Sequence, residues 1–269
     1  MNPRDLDFLI DYVRRNIGIQ LDASKSYLLK SRLNDVVRSE GFESMEALCR
    51  ELRGTGATRL LPKIVDAMTT NETSFFRDGL PFKHLVDEVF PLLIKARAPK
   101  RRLRIWSAAS SSGQEAVTLG ILLSEHFPEI RGWDVKILAS DISPAMVERC
   151  RQACFTEGEI GRGMPAEFKS RYFDRVSEGW QAKQAIRDLI QVRQLNLIHP
   201  LPSIESQDLV LLRNVLIYFD EPTRQSIFRG ISRILATDGF VLLGTAEKPR
   251  SESYERAFGP QANVFRRAS

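Results

Sequence analysis

The stretch from Leu103 to Asp141 constrains the fold of this chain more than any other. It reads LRIWS, then AASSSGQEA, then a helical run to His126, then VKILASD. The first piece is a short apolar strand, and the second is a turn built almost wholly of Ala, Ser and Gly. The following run carries apolar residues at Val117, Leu119, Ile121, Leu122 and Phe127, and the second strand ends on Asp141. Strand, small-residue turn, helix, strand and terminal acid is the layout of a nucleotide-type half-site. Small residues let the backbone approach a ligand, and a carboxylate at the strand end can accept from both ribose hydroxyls. The competing reading is an ordinary parallel β-α-β unit in which Asp141 caps the helix starting near Pro144.

A dinucleotide site wants G-x-G-x-x-G, because pyrophosphate needs a helix N-terminus and close glycine approach. Here only Gly113 is present, among Ala108, Ala109, Ser110, Ser111 and Ser112. That argues against pyrophosphate. It is compatible with S-adenosylmethionine, which carries adenosine and a sulfonium but no phosphate.

With 269 residues the chain can hold one large domain and a smaller one. No run approaches the roughly 20 apolar residues of a membrane span. The opening MNPRDLDFLIDYVRR is amphipathic and resembles neither a secretory signal nor a transit peptide, so a cytoplasmic protein is expected. Cys150 and Cys154 read as one turn apart on a single helix. Together with Cys49 they are expected to be buried or half-buried thiols, with no disulfide. His84, His126 and His199 are scattered, and no metal site is expected. The net charge is +5. The densest basic run, Lys95, Arg97, Lys100, Arg101, Arg102 and Arg104, lacks interleaved aromatics and reads as a solvated linker rather than a nucleic-acid patch. A moderate positive field would suit an acidic protein substrate.

The spacing predicts an all-helical start. Leu6, Leu9, Ile10, Val13 and Ile17 form a first stripe stopped by Gly18. Ser24 caps a second helix that Gly41 ends, Ser44 starts a third, and Pro62 fits the first turn of a fourth. Leu80 to Ala96 reads as a longer helix. Residues 1–75 are thus expected to form a helical domain and 76–102 a linker helix with a basic linker. Residues 103–269 are expected to form an α/β domain. Within it, residues 174–194 suggest a small antiparallel hairpin, Leu209 to Leu212 a buried parallel strand, and ANVFRR a last edge strand.

Three further constellations sit where open α/β sheets bind ligands. They are TTNETSFFRD (Asn71, Thr73 and Arg77 beside Phe75 and Phe76), Leu195-Asn196-Leu197, and RNVLIYFD with Arg213, Asn214 and Tyr218. Asn196 could meet an adenine edge while the leucines pack on its faces. Each has a plainer reading. Asn71 would cap a helix containing Phe75 and Phe76, Asn196 would make a turn before Pro200, and Arg213 and Tyr218 would be paired surface groups. Convergence of all three on one crevice favours a site.

TTNETSFFRD, RIWSAASSSGQEA, ILASDIS, LNL and RNVLIYF, in that order, resemble the CheR family of chemotaxis receptor methyltransferases over nearly the whole chain. The resemblance implies a helical N-terminal domain joined to a Rossmann-like methyltransferase domain with a small inserted antiparallel β-subdomain. It implies methyl esterification of glutamate side chains on cytoplasmic helices of chemoreceptors, for sensory adaptation. S-adenosylmethionine would be the cofactor and S-adenosylhomocysteine the product. By the same resemblance Asn71, Thr73 and Arg77 contact the cofactor from the inter-domain side. Glu115 faces its methionyl end or sugar, Asp141 holds the ribose, Asn196 and Leu197 flank the adenine, and Asn214 and Val215 line the methionine end. Arg77 and Tyr218 orient the substrate carboxylate. A monomer that binds neither nucleic acid nor membrane is expected.

The chain departs from the family where Gln114 replaces an acid and Ala116-Val117-Thr118 replaces Pro-Tyr-Ser, which predicts altered helix packing. The turn near Glu178-Gly179 is short, resembling members that need no C-terminal receptor pentapeptide. A carboxylate nucleophile needs no general base, so alignment would be the enzyme's main contribution. The competing readings are a methyltransferase for another substrate and a cofactor-binding module without activity.

Overall fold

The structure, a computed structural model, describes residues 2–21, 26–249, 253–259 and 261–268. Four helices open the chain: α1 (Pro3–Ile17), α2 (Ser26–Ser39), α3 (Met45–Arg53) and α4 (Ala57–Met68). The Asn2 side chain accepts from the Asp5 N–H, Pro3 occupies the first turn, and Gly18 ends α1 with φ +84°. Leu9, Val13 and Ile17 are spaced four apart and buried, facing Leu29, Leu33, Leu48, Leu60 and Ile64 of the other three helices. Ser44 caps α3, as its position predicts. Ser24, the expected cap of α2, lies outside the described residues.

Pro62 does not start α4 but lies inside it. It is exposed, as is Thr58 one turn earlier, so water reaches the carbonyl that the missing N–H leaves free. Residues 80–97 form one helical rod: α5 (Leu80–His84), a π-turn (Leu85–Val89) and α6 (Phe90–Arg97). The widened turn falls just before Pro91, which has no N–H to give to Asp87.

The second domain is built on β1 (Arg102–Ala108), α7 (Gln114–His126), β2 (Asp134–Asp141), α8 (Pro144–Gln152), β3 (Cys154–Phe155), α9 (Glu157–Gly161) and α10 (Ala166–Tyr172). It continues with β4 (Phe173–Val176), β5 (Gly179–Ala182), α11 (Gln184–Arg187), β6 (Ile190–Gln194), β7 (Gln207–Leu212), α12 (Glu221–Ile234), β8 (Leu235–Leu243), β9 (Tyr254–Arg256) and β10 (Val264–Arg267). The large sheet runs β6-β2-β1-β7-β8-β10-β9. Its first five strands are parallel, and β10 and β9 add antiparallel. All six residues of β7 are buried, as a central parallel strand requires. From β1 the chain winds one way through β2 to β6, while β7 and β8 lie on the other side. The resulting switch point opens a crevice beyond the carboxyl end of β1.

Three expectations need correcting. Ile190–Gln194 is not part of a hairpin with residues 176–182; it pairs in parallel with β2 at the edge of the large sheet. The small antiparallel sheet is instead β3-β5-β4, closed by the turn at Ser177 and Glu178. Cys150 and Cys154 do not share a helix, because Ala153 leaves α8 with φ +46° and Cys154 begins β3. The terminal strand β10 is not an edge, since β9 covers its outer side. In each case strand pairing overrides the local pattern.

The basic linker is not merely solvated. The Arg97 guanidinium pairs with Asp208 at 2.6 Å and with Asp238 at 2.6 Å. Arg104 is buried in β1 and pairs with Glu205 at 2.7 Å and with Asp134. These acids pair the two least exposed arginines of the run at the amino end of the sheet.

Candidate active site

A cleft lies at the carboxyl ends of β1, β2 and β7, where open α/β sheets bind their ligands. The inter-domain segment supplies Asn71, Thr73 and Arg77. The loops after the strands supply Ala109 and Ser111, Asp141 and Ile142, and Asn214, Val215 and Tyr218. Ile17 and Ile19, at the end of α1, close the wall from the helical domain.

The loop after β1 is tightly wound. Ala109 and Ser111 have positive φ and Gly113 has φ +98°. A Cβ on Gly113 would stand 2.8 Å from the Cys150 Sγ, so glycine is required both by the turn and by the approach of α8. Asp141 ties this loop to α8. Its Oδ2 accepts the Ser111 N–H and its Oδ1 accepts the Ser143 N–H, each at 2.9 Å. Ser143, rather than Asp141, caps α8. Each Asp141 oxygen keeps a lone pair for a ligand. Burial pushes the Asp141 carboxyl above the usual aspartate value, against the pull of the Ser143, Ser111 and Ile142 N–H groups.

The helical domain is locked onto this frame. The Asn196 side chain donates to the Asn16 carbonyl at 2.8 Å. The Gln20 N–H donates to the Tyr218 carbonyl, and the Ser143 hydroxyl donates to Asp66. The Ser111 hydroxyl donates to the Asn71 carbonyl.

The segment before α5 does not form the helix that Asn71 would cap. Phe75 instead packs edge-on against Phe155 and Phe173, next to the small sheet. The Phe76 N–H donates to Thr118 Oγ1, which ties this segment to α7. Arg77 lines the cleft, and its Nη1 donates to the Glu72 carbonyl.

Three expected ligand residues point elsewhere. Glu115 does not line the cleft: its Oε1 accepts from the Ser107 hydroxyl at 2.7 Å and its Oε2 from Arg213 at 2.8 Å. Asn196 is committed to Asn16, and Leu197 packs in the apolar layer under α12. Both its position on the cleft and its buried contacts make Arg213 more than a surface partner of Tyr218. Glu247 carries no signal in the sequence, yet it accepts four backbone N–H groups around the loop after β7. No local pattern could reveal it, since three of its donors lie about 30 residues away in the chain.

Comparison with known proteins agrees with this architecture. Residues 71–261 match the family model described as CheR methyltransferase, SAM binding domain, and residues 4–69 match CheR methyltransferase, all-alpha domain. The chain belongs to the CheR methyltransferase family. It is 38% identical to chemotaxis protein methyltransferase 1 of Pseudomonas aeruginosa, over 90% of this chain and 89% of that one. It is 36% identical to chemotaxis protein methyltransferase Cher2 of Pseudomonas putida, over 92% of each. It is 32% identical to the chemotaxis protein methyltransferase of Borreliella burgdorferi, over 91% of this chain and 88% of that one. The protein is accordingly a methyltransferase that uses S-adenosylmethionine. The cleft fits that cofactor: Asp141 keeps acceptor capacity for a ribose hydroxyl, and apolar walls lie at Ile17, Ile19, Val215 and Phe219.

Proposed function

We propose that the cleft holds S-adenosylmethionine between the two domains and that a receptor glutamate is esterified at the mouth formed by Arg77 and Tyr218. The observation that carries this reading is the convergence of Asn71, Thr73, Arg77, Asp141, Asn214, Val215 and Tyr218 on one cleft at the switch point. In this reading Asp141 holds the ribose, while Asn71, Thr73, Asn214 and Val215 bind the rest of the cofactor. Arg77 and Tyr218 align the incoming carboxylate.

When bound, the cofactor supplies a methyl group on sulfur, which leaves for a carboxylate oxygen while sulfur keeps the electron pair. The nucleophile is already ionised at neutral pH, and no histidine lines the cleft. The protein's own contribution is alignment and exclusion of water. An Arg77 clamp must hold the carboxylate loosely, because ground-state binding alone does not accelerate transfer.

The substrate surface of this reading is a cytoplasmic receptor helix bundle, and the enzyme acts as a cytoplasmic monomer. Among the described residues no helix is long and apolar enough to cross a membrane. Docking needs no receptor pentapeptide. The β4–β5 turn is only Ser177 and Glu178, and the Trp180 ring beside it is already covered by Lys169 and Arg175. A strand-adding peptide needs an open edge with side-chain pockets.

The test is transfer of labelled methyl from S-adenosylmethionine to purified receptor cytoplasmic fragments, with and without their C-terminal tails. Base-labile label released as methanol from both forms is expected. Base-stable label, or none, would overturn the glutamate reading. Loss of transfer on tail removal would overturn the docking reading alone.

A further inference from the structure

We propose that Glu247 is a positioning residue of the cofactor cleft, acting as an anionic clasp that holds Asn214 and Val215 against the cofactor. Its side chain is buried, with the residue 4% exposed. Oε2 accepts the Asn214 N–H at 2.8 Å and the Gly244 N–H at 2.9 Å. Oε1 accepts the Val215 N–H at 2.9 Å and the Leu216 N–H at 2.7 Å. Among the described residues no lysine, arginine or histidine pairs with it. A buried carboxylate is sustained only if hydrogen bonds replace its hydration, and four N–H donors do so here.

The geometry of the clasp is specific to the cleft. Asn214 sits at φ +58°, the left-handed region that asparagine enters more readily than most side chains, and two successive N–H groups after it point at one carboxylate oxygen. The loop after β7 is thereby pinned to the loop after β8. Gly244 leaves no room for a side chain: a Cβ there would lie 2.7 Å from Glu247 Oε2 and 2.8 Å from Asn214 Oδ1. Asn263 braces the far side, donating its amide to the Glu247 carbonyl at 3.1 Å and to the Gly244 carbonyl. Glu247 does not itself line the cleft; Asn214 and Val215 do. Its role rests on the reading that these two residues touch the cofactor.

The decisive variant is Glu247→Gln. The carboxamide keeps the shape but offers one acceptor oxygen, and its NH2 faces two N–H donors. The loop should relax from the cofactor while the two domains stay folded. Calorimetric titration with S-adenosylhomocysteine should show at least a ten-fold weaker Kd, and the KM for receptor fragments should not change. Glu247→Asp, which keeps the charge on a shorter arm, should recover part of the loss. Ile231→Val, which thins the buried layer under α12, should lower Tm without moving Kd.

If Glu247→Gln does not fold, Gly244→Ala reaches the same clasp from its other side and should weaken the Kd similarly. An unchanged Kd in a folded variant overturns the proposal. So does failure of both variants to fold, which would assign Glu247 to the stability of the fold alone. Asn214→Ala separates the two readings. If it leaves the Kd unchanged, Asn214 is no cofactor contact. If it weakens the Kd while Glu247→Gln does not, only the clasp is lost.

Discussion

The Arg213 guanidinium donates to the Glu115 carboxylate at 2.8 Å, with the Arg213 side chain only 2% exposed. Its other terminal nitrogen donates to the Arg77 carbonyl and to the Asp78 carboxylate, each at 2.9 Å. Its guanidinium also lies over the Phe82 ring. One buried cation therefore joins the start of α7 to the turn that carries Arg77. Removing it leaves the half-buried Glu115 carboxylate without its cation, held only by the Ser107 hydroxyl. Arg213→Ala should cost about 3 to 5 kcal/mol of stability, the range for breaking a buried pair. Arg213→Lys should recover only part, because an ammonium cannot reproduce the forked donors. Urea unfolding of the three proteins would measure both.

Arg77 has one terminal nitrogen engaged with the Glu72 carbonyl within its own loop. Arg77→Ala should therefore lower methyl transfer more than it weakens S-adenosylhomocysteine binding. Turnover and affinity falling by the same factor would restrict Arg77 to cofactor binding.

The Asp141 carboxyl titrates above the usual aspartate value of 3.8 because it is buried. A ribose hydroxyl donating to it favours the charged form and lowers that pKa in the complex. Binding should thus release a proton, and affinity should fall as pH drops through the raised pKa of the free enzyme. For the free protein the sign is opposite: a raised folded pKa means that this group's contribution to stability declines as pH rises through the same window. Calorimetry in buffers of different ionisation enthalpy would detect the proton. Asp141→Asn should abolish the pH dependence and weaken binding by about 1.5 to 3 kcal/mol.

Gly18 ends α1 at φ +84° and lies against the second domain. A Cβ there would stand 2.6 Å from Ile198 Cγ2 and 2.9 Å from the Phe219 ring. Gly18→Ala should destabilise by about 1 to 3 kcal/mol, from backbone strain and overpacking. Because Ile17 and Ile19 line the cleft, cofactor affinity should fall as well. Retained affinity with lowered Tm would show that the cleft tolerates movement of this wall.

Much of the site was legible because its residues follow strand ends directly. Asp141 closes β2 and Asn214 follows β7, so a reading of strands and turns locates both. Asn71, Thr73 and Arg77 stood out as a polar set beside two phenylalanines, but their approach to the cofactor from the inter-domain side came only from the resemblance, since no local pattern says that such a segment folds over the crevice. The Asn196 and Glu115 side chains turn to Asn16 and Arg213, 180 and 98 residues away, which nothing in the local sequence announces. A polar side chain beside a site has several destinations, and only the tertiary neighbours select one.

The sequence by itself determined the element types and their order. Periodicity and caps specify α1 and α3, apolar residues specify β1 and an unbroken apolar run β7, and small residues specify the turn after β1. These depend on interactions within a few residues. Tertiary structure alone decided that Ile190–Gln194 joins the large sheet, that α1 closes a wall of the cleft, and that Arg213 and Glu247 brace it from beneath. A short strand pairs with whichever edge is free, and a buried charge takes whichever partner replaces its lost water. Neither choice is written in the neighbouring residues.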